Sequence, residues 1–124
     1  MNRAAWYPIV IEEGATFSMT FEWRDANGAV VDFSSYTDVR MDIRATKEAG
    51  TAIASSEGET PTLVMDLTDA NVGVLVVTMT ATNTAALDFH RAVYDIEAFN
   101  TPTVYRLVEG SVTLSREASR TVTE

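Results

Sequence analysis

The chain contains no cysteine and a single histidine, His90, among its 124 residues. Without thiols there is neither a disulfide framework nor a thiolate metal site. With one histidine, a Ser-His-Asp hydrolase would have to use His90, and no serine lies in a Gly-x-Ser-x-Gly elbow. Lysine is almost absent too: Lys47 stands alone beside eight arginines. Arginine is favoured at protein interfaces and pairs bidentately with carboxylates. No apolar run approaches the roughly 20 residues of a membrane-spanning helix. Met1 to Pro8 lacks the apolar core of a signal peptide, so the expectation is a protein made in the cytoplasm.

Acids are the charge in excess. Eighteen Asp and Glu against nine Lys and Arg give a formal charge of −9. Such a field repels phosphate backbones, so nucleic acid is not an expected partner. A partner with a basic rim suits it, and that association should weaken with salt. Hydrophobic residues make up 46% of the chain, which is enough for a folded core.

The pattern that organises the chain is period two. Phe17, Met19, Phe21 and Trp23 alternate with Ser18, Thr20 and Glu22, as in a strand with one dry face. Asp25-Ala26-Asn27-Gly28 reads as a tight reversal, with Val30, Val31 and Phe33 as the returning strand. Ile9-Val10-Ile11 after Pro8 suits an edge strand. Val39, Met41 and Ile43 alternate with Arg40, Asp42 and Arg44, whose charges can pair along the outer face. Thr51 to Ser55 is a candidate short strand, Ser56 to Pro61 an exposed tip, and Leu63 to Leu67 a further strand.

The apolar run Val74 to Val77 predicts burial on both faces or a partner against the outer one. Thr82 reads as the N-cap of one helical turn running to Leu87. Tyr94 and Ile96 should face inward, with Asp95 and Glu97 outward. Asn100 to Thr103 is a hairpin loop, and Gly110 marks a bulge in the strand that follows. The sum is an all-β fold: an antiparallel β-sandwich of about seven to nine strands with one short helical turn. Residues 1–124 form one domain, with 1–7 as an N-terminal arm and 116–124 as a polar C-terminal tail. Phe17, Phe21, Trp23, Met41, Ile43, Tyr94, Ile96 and Leu114 are the expected core.

No catalytic residue, cofactor site or metal site is assigned. Asp66 with Asp69, or Asp95 with Glu97, could offer carboxylates to a metal, but neither pair has the ligand spacing of an EF-hand. Phe17, Phe21, Trp23, Tyr94 and Phe99 could form a sugar-stacking platform, although strand spacing suits a core better. No small-molecule substrate is expected, and no membrane. Neither terminus has the apolar content to fold alone, so both are expected to contact another chain. Trp6, Tyr7, Arg116 and Arg120 are the expected anchors.

Three segments carry a family resemblance. The first is Ile11-Glu12-Glu13-Gly14-Ala15-Thr16-Phe17 leading into Trp23-Arg24-Asp25-Ala26-Asn27-Gly28-Ala29-Val30-Val31-Asp32. The second is Met79-Thr80-Ala81-Thr82-Asn83-Thr84-Ala85-Ala86-Leu87 leading into Tyr94-Asp95-Ile96-Glu97. The third runs from Val104 to Leu114. In order and spacing they resemble small tailed-phage virion proteins, and in particular the N-terminal module of baseplate upper proteins. The resemblance implies a non-enzymatic structural virion protein, present in several copies and binding tail, baseplate or fibre components. Its place would be the virion, and any receptor-binding part would be a separate polypeptide. Asp88-Phe89-His90-Arg91 fills a gap where such sequences often carry glycine, which makes Phe89 a candidate docking residue. The alternatives are a capsid decoration protein and a carbohydrate-binding module, with a small hydrolase behind both.

Overall fold

The computed structural model describes residues 5–116. Their strands are β1 (Ala5–Trp6), β2 (Ile9–Glu12), β3 (Phe17–Glu22), β4 (Asp38–Arg44), β5 (Ala54–Ser55), β6 (Val64–Asp66), β7 (Val74–Met79), β8 (Arg91–Asn100) and β9 (Thr103–Ser115). One 3-10 turn lies at Ala70–Val72 and one short helix, α1, at Ala81–Ala85. The larger sheet has the order β1-β9-β8-β4-β5, with β2 also paired to β9, and the smaller sheet has the order β3-β7-β6. Ile11, Met41, Ile43, Ile96 and Val112 from the first sheet meet Leu75, Val77 and Met79 from the second in one core. The fold is an all-β sandwich, as the alternation predicts.

Several local expectations are corrected. The larger sheet is mixed, because β1 and β2 run parallel to β9. Their register is continuous, Ala5 opposite Val108 through Glu12 opposite Ser115, and the break falls at Tyr7-Pro8. Proline has no N–H to give to the ladder. The return of the Asp25–Gly28 reversal is not a strand but a single bridge between Arg24 and Val30. Val31 instead donates its N–H to the Trp23 carbonyl, and the edge-to-edge partner of β3 is β7.

The helix is capped by Thr80, not Thr82: the Thr80 hydroxyl accepts the Asn83 N–H at 3.2 Å. The run Val74 to Val77 buries only one face. Leu75 and Val77 are buried, while Val74 and Val76 stay half-buried on the outside. The Thr51 to Ser55 strand shrinks to Ala54–Ser55.

The bulge in β9 sits at Leu107, where the pairing with β8 shifts between Ile96 and Glu97. Leu107 and Val108 are both buried in succession. Before the bulge odd-numbered residues of β9 face the core, and after it even-numbered ones do, which is why Tyr105 and Val112 both point inward. Gly110 has a different task. A Cβ there would fall on the Tyr7 carbonyl and lie 3.2 Å from Cε1 of Tyr94.

Of the expected core, Met41, Ile43, Tyr94, Ile96 and Leu114 are buried. Phe17, Phe21 and Trp23 face the core in the expected phase but remain half-buried. Their strand is the last in the smaller sheet, so no described strand pairs with its outer side.

Candidate interaction surface

The N-terminal strand brings together two of the expected anchors. Trp6 and Tyr7 are 63% and 56% exposed, and Val10, further along the same edge, is 59% exposed. Large side chains so open on an ordered strand are held there by backbone pairing, not by their own burial. Tyr7 donates its N–H to the Glu109 carbonyl at 2.9 Å, and its carbonyl accepts the Tyr94 hydroxyl at 2.6 Å. Burial pushes the Tyr94 phenol well above its ordinary range. The 5–7 part of the expected arm is therefore stitched to its own chain, with its side chains left outward.

Arg116 is placed differently. Its guanidinium donates to Glu13 and Asp88, both at 3.0 Å, and so ties the turn after β2 to the loop after α1. These hydrogen bonds, Asp88 first, raise its pKa above the ordinary arginine value. Phe89 is half-buried and packs against the core. The His90 carbonyl beside it accepts the Leu114 N–H. Arg120 lies outside the described residues.

The outer face of the larger sheet carries a feature that no single segment announces. Asp42, Asp95 and Glu109 lie opposite one another on three successive strands. Like charges in that position repel. Burial and the neighbouring Glu97, Asp42 and Glu109 raise the Asp95 pKa, against the opposing pull of Arg106. Bases bracket the row: Arg44 reaches Asp42 at 3.0 Å, Lys47 reaches Glu109 at 3.1 Å, and Arg106 lies 3.2 Å from Glu97 and 3.7 Å from Asp95.

The other carboxylate pair considered for metal, Asp66 with Asp69, is engaged locally. Asp66 accepts from the Thr68 hydroxyl at 2.6 Å and amide at 2.9 Å, and those bonds hold its pKa below the usual value. Among the described residues, no group of three or more His, Cys, Asp or Glu side chains could hold a metal ion. No helix among them is long and apolar enough to cross a membrane.

The five aromatics weighed as a sugar platform do not share a face. Tyr94 points into the core, while Phe99 lies on the outer face of the same strand beneath the Arg40 guanidinium, 4.1 Å from the ring centre. Trp23 is enclosed by Phe33, Tyr36 and Tyr105, with ring centres 5.9, 5.7 and 5.6 Å away.

Trp23 and Tyr105 of that group floor an open groove of about 850 Å³ between β3 and β9. Phe21, Trp23, Val31, Val104, Tyr105 and Leu107 supply its apolar lining. Sequence reading finds Phe21 and Trp23 by period, but misses the groove because it depends on which edge of the smaller sheet is left unpaired. A scan against protein-family models finds no match for the chain, and a comparison with curated proteins finds none.

Proposed function

We propose that this chain is a non-enzymatic structural virion protein, an adaptor or attachment module of a phage tail or baseplate that binds other virion proteins in several copies. The observation that carries the reading is the N-terminal strand, where Trp6, Tyr7 and Val10 stay exposed on a backbone held by β9. Exposed aromatics on a rigid strand are anchors for a protein partner at little entropic cost. The three segments of the resemblance also fall on framework: the β2–β3 turn and the reversal after β3, the α1 cap and β8, and β9.

The test is mass spectrometry of purified particles, with tail and head fractions run separately. The chain should appear at fixed stoichiometry in tails, and Trp6→Ser should reduce its incorporation while the isolated protein keeps its melting temperature. Recovery in heads alone would make it a capsid decoration protein. Absence from both fractions would refute the reading.

A further inference from the structure

The free side of β3 is the most open strand edge in the described molecule. β5 is two residues long and β6 three. The β1–β2 edge is broken by Pro8. β3 has six residues with no proline, glycine, lysine or bulge, and among the described strands it pairs only with β7. Natural edge strands are normally shortened, charged or broken to prevent pairing with other chains. Here such devices appear on β1–β2, β5 and β6 and are missing from β3.

The backbone of β3 is poised to pair again. Trp23 donates its N–H to the Gly73 carbonyl at 2.8 Å, one step beyond the Glu22–Val74 pair. Antiparallel pairing alternates, so Phe17, Met19 and Phe21 direct their backbone groups to β7, while the Trp23 carbonyl accepts from Val31. Ser18, Thr20 and Glu22 direct theirs to the open side. Beside that edge lies the groove, with Trp23 and Tyr105 on its floor and Ala5 on its far wall. The larger sheet thus extends past the point where the smaller one stops, and Phe17, Met19 and Phe21 stay half-buried for want of a neighbour.

Charge indicates the occupant. Glu22, Asp25 and Glu109 line the groove, and Asp95 and Glu97 sit against its Arg106. Of the bases, Arg24 and Arg106 line the groove, and both are already paired, Arg24 with Glu22 and Arg106 with Asp95 and Glu97. The surplus is negative, in a chain of net charge −9.

We infer that β3 is a strand-addition site that accepts an extended segment of a basic partner protein, with apolar residues at alternate positions entering the groove. Main-chain bonds to Ser18, Thr20 and Glu22 would supply affinity, and the groove would supply specificity. The inference rests on the proposed virion role only for the partner's identity. The test below reads the groove itself, whether or not the chain is found in particles.

The probe is a capped peptide of alternating lysine and valine, six residues long like β3. The control replaces valine with serine at the same charge. Binding is followed by fluorescence anisotropy and by hydrogen exchange of individual amides. The Lys-Val peptide should slow exchange at Ser18, Thr20 and Glu22, and the Lys-Ser peptide should bind about tenfold more weakly. Thr20→Pro removes an N–H from the open side only and should abolish that protection. Ser18→Lys, which keeps the backbone intact and adds an edge lysine, should weaken binding if Thr20→Pro does not fold. Equal binding of both peptides, or protection confined to other strands, would overturn the inference. Protection of the same amides without peptide, rising with protein concentration, would overturn the choice of partner in favour of a second copy of the chain.

Discussion

The Tyr94 hydroxyl donates to the Tyr7 carbonyl at 2.6 Å, joining residues 87 positions apart. The bond passes through space that Gly110 leaves open. It makes a core side chain the clasp for the strand that displays Trp6. Strand and display surface therefore respond together to changes at Tyr94 and Gly110.

Tyr94→Phe should cost about 1 kcal/mol in urea denaturation, the net worth of one hydrogen bond, and should speed exchange of the Tyr7 amide. Gly110→Ala should cost more, about 1–3 kcal/mol, because the new methyl displaces the Tyr7 backbone. The alkaline limb of the stability profile should also change. Burial raises the folded-state pKa of Tyr94 above the ordinary tyrosine value of 10.0. The stabilisation is therefore complete below about pH 10 and lost as pH rises further. Tyr94→Phe should flatten that loss; Tyr36, whose phenol is raised by burial and by Tyr105, acts in the same direction.

Asp95→Asn should stabilise the protein. The substitution removes the central charge of the Asp42–Asp95–Glu109 row, and relief of such cross-strand repulsion is worth about 0.2–1 kcal/mol. The Asp95 pKa is raised in the folded state, so its charge disfavours folding only above the carboxylate range. The gain should appear at about pH 7 and vanish at about pH 3, where the native carboxyl is already protonated. Paired denaturation curves at the two pH values measure it, and an equal gain at both would show that the row is not its source.

Thr84 is the buried polar residue of the core region, fully enclosed. Its hydroxyl accepts the Gly14 N–H at 3.0 Å and faces the Ala15 and Ala81 carbonyls at 2.9 and 3.1 Å. Thr84→Val keeps the shape and strands the Gly14 donor, so a loss of about 1–3 kcal/mol is expected. At the start of the same helix, Thr80→Ala should cost about 1 kcal/mol through the lost cap, whereas Thr82→Ala should be nearly neutral. Thermal melts of the three variants give the order.

Trp23→Ala should cost about 2 kcal/mol. A fully buried tryptophan would cost about 3–5 kcal/mol. Trp23 keeps its aromatic neighbours but borders the groove, so only part of that applies. Chemical denaturation distinguishes the two values.

The fold was legible where one strand's own alternation decides its faces. Met41, Ile43, Tyr94 and Ile96 are buried as their period requires. Errors arose where a residue's role is set by a distant one. Gly110 reads locally as a bulge, but its constraint comes from Tyr7 and Tyr94. The actual bulge, at Leu107, has no glycine to mark it. Thr80 and Thr82 are equally good caps by residue type, and the geometry at Asn83 chooses between them. The candidate surface was half visible. Trp6 and Tyr7 stand out by type and position. Arg116 reads as an anchor by type, and its ties to Glu13 and Asp88 are not legible because those residues lie 103 and 28 positions away.

The placement of β9 has a consequence for synthesis. β9 lies between β8 on one side and β1 and β2 on the other. β1 and β2 must therefore wait for β9, which is translated after every other described strand, before they find their place. A nascent chain that stops before Thr103 leaves Ile9 and Ile11 without their pairing strand and β8 with one side unpaired. Such a fragment would expose sticky strands and invite proteolysis or aggregation. Translation through β9 is thus the event that closes the sheet, and products interrupted before it should be cleared.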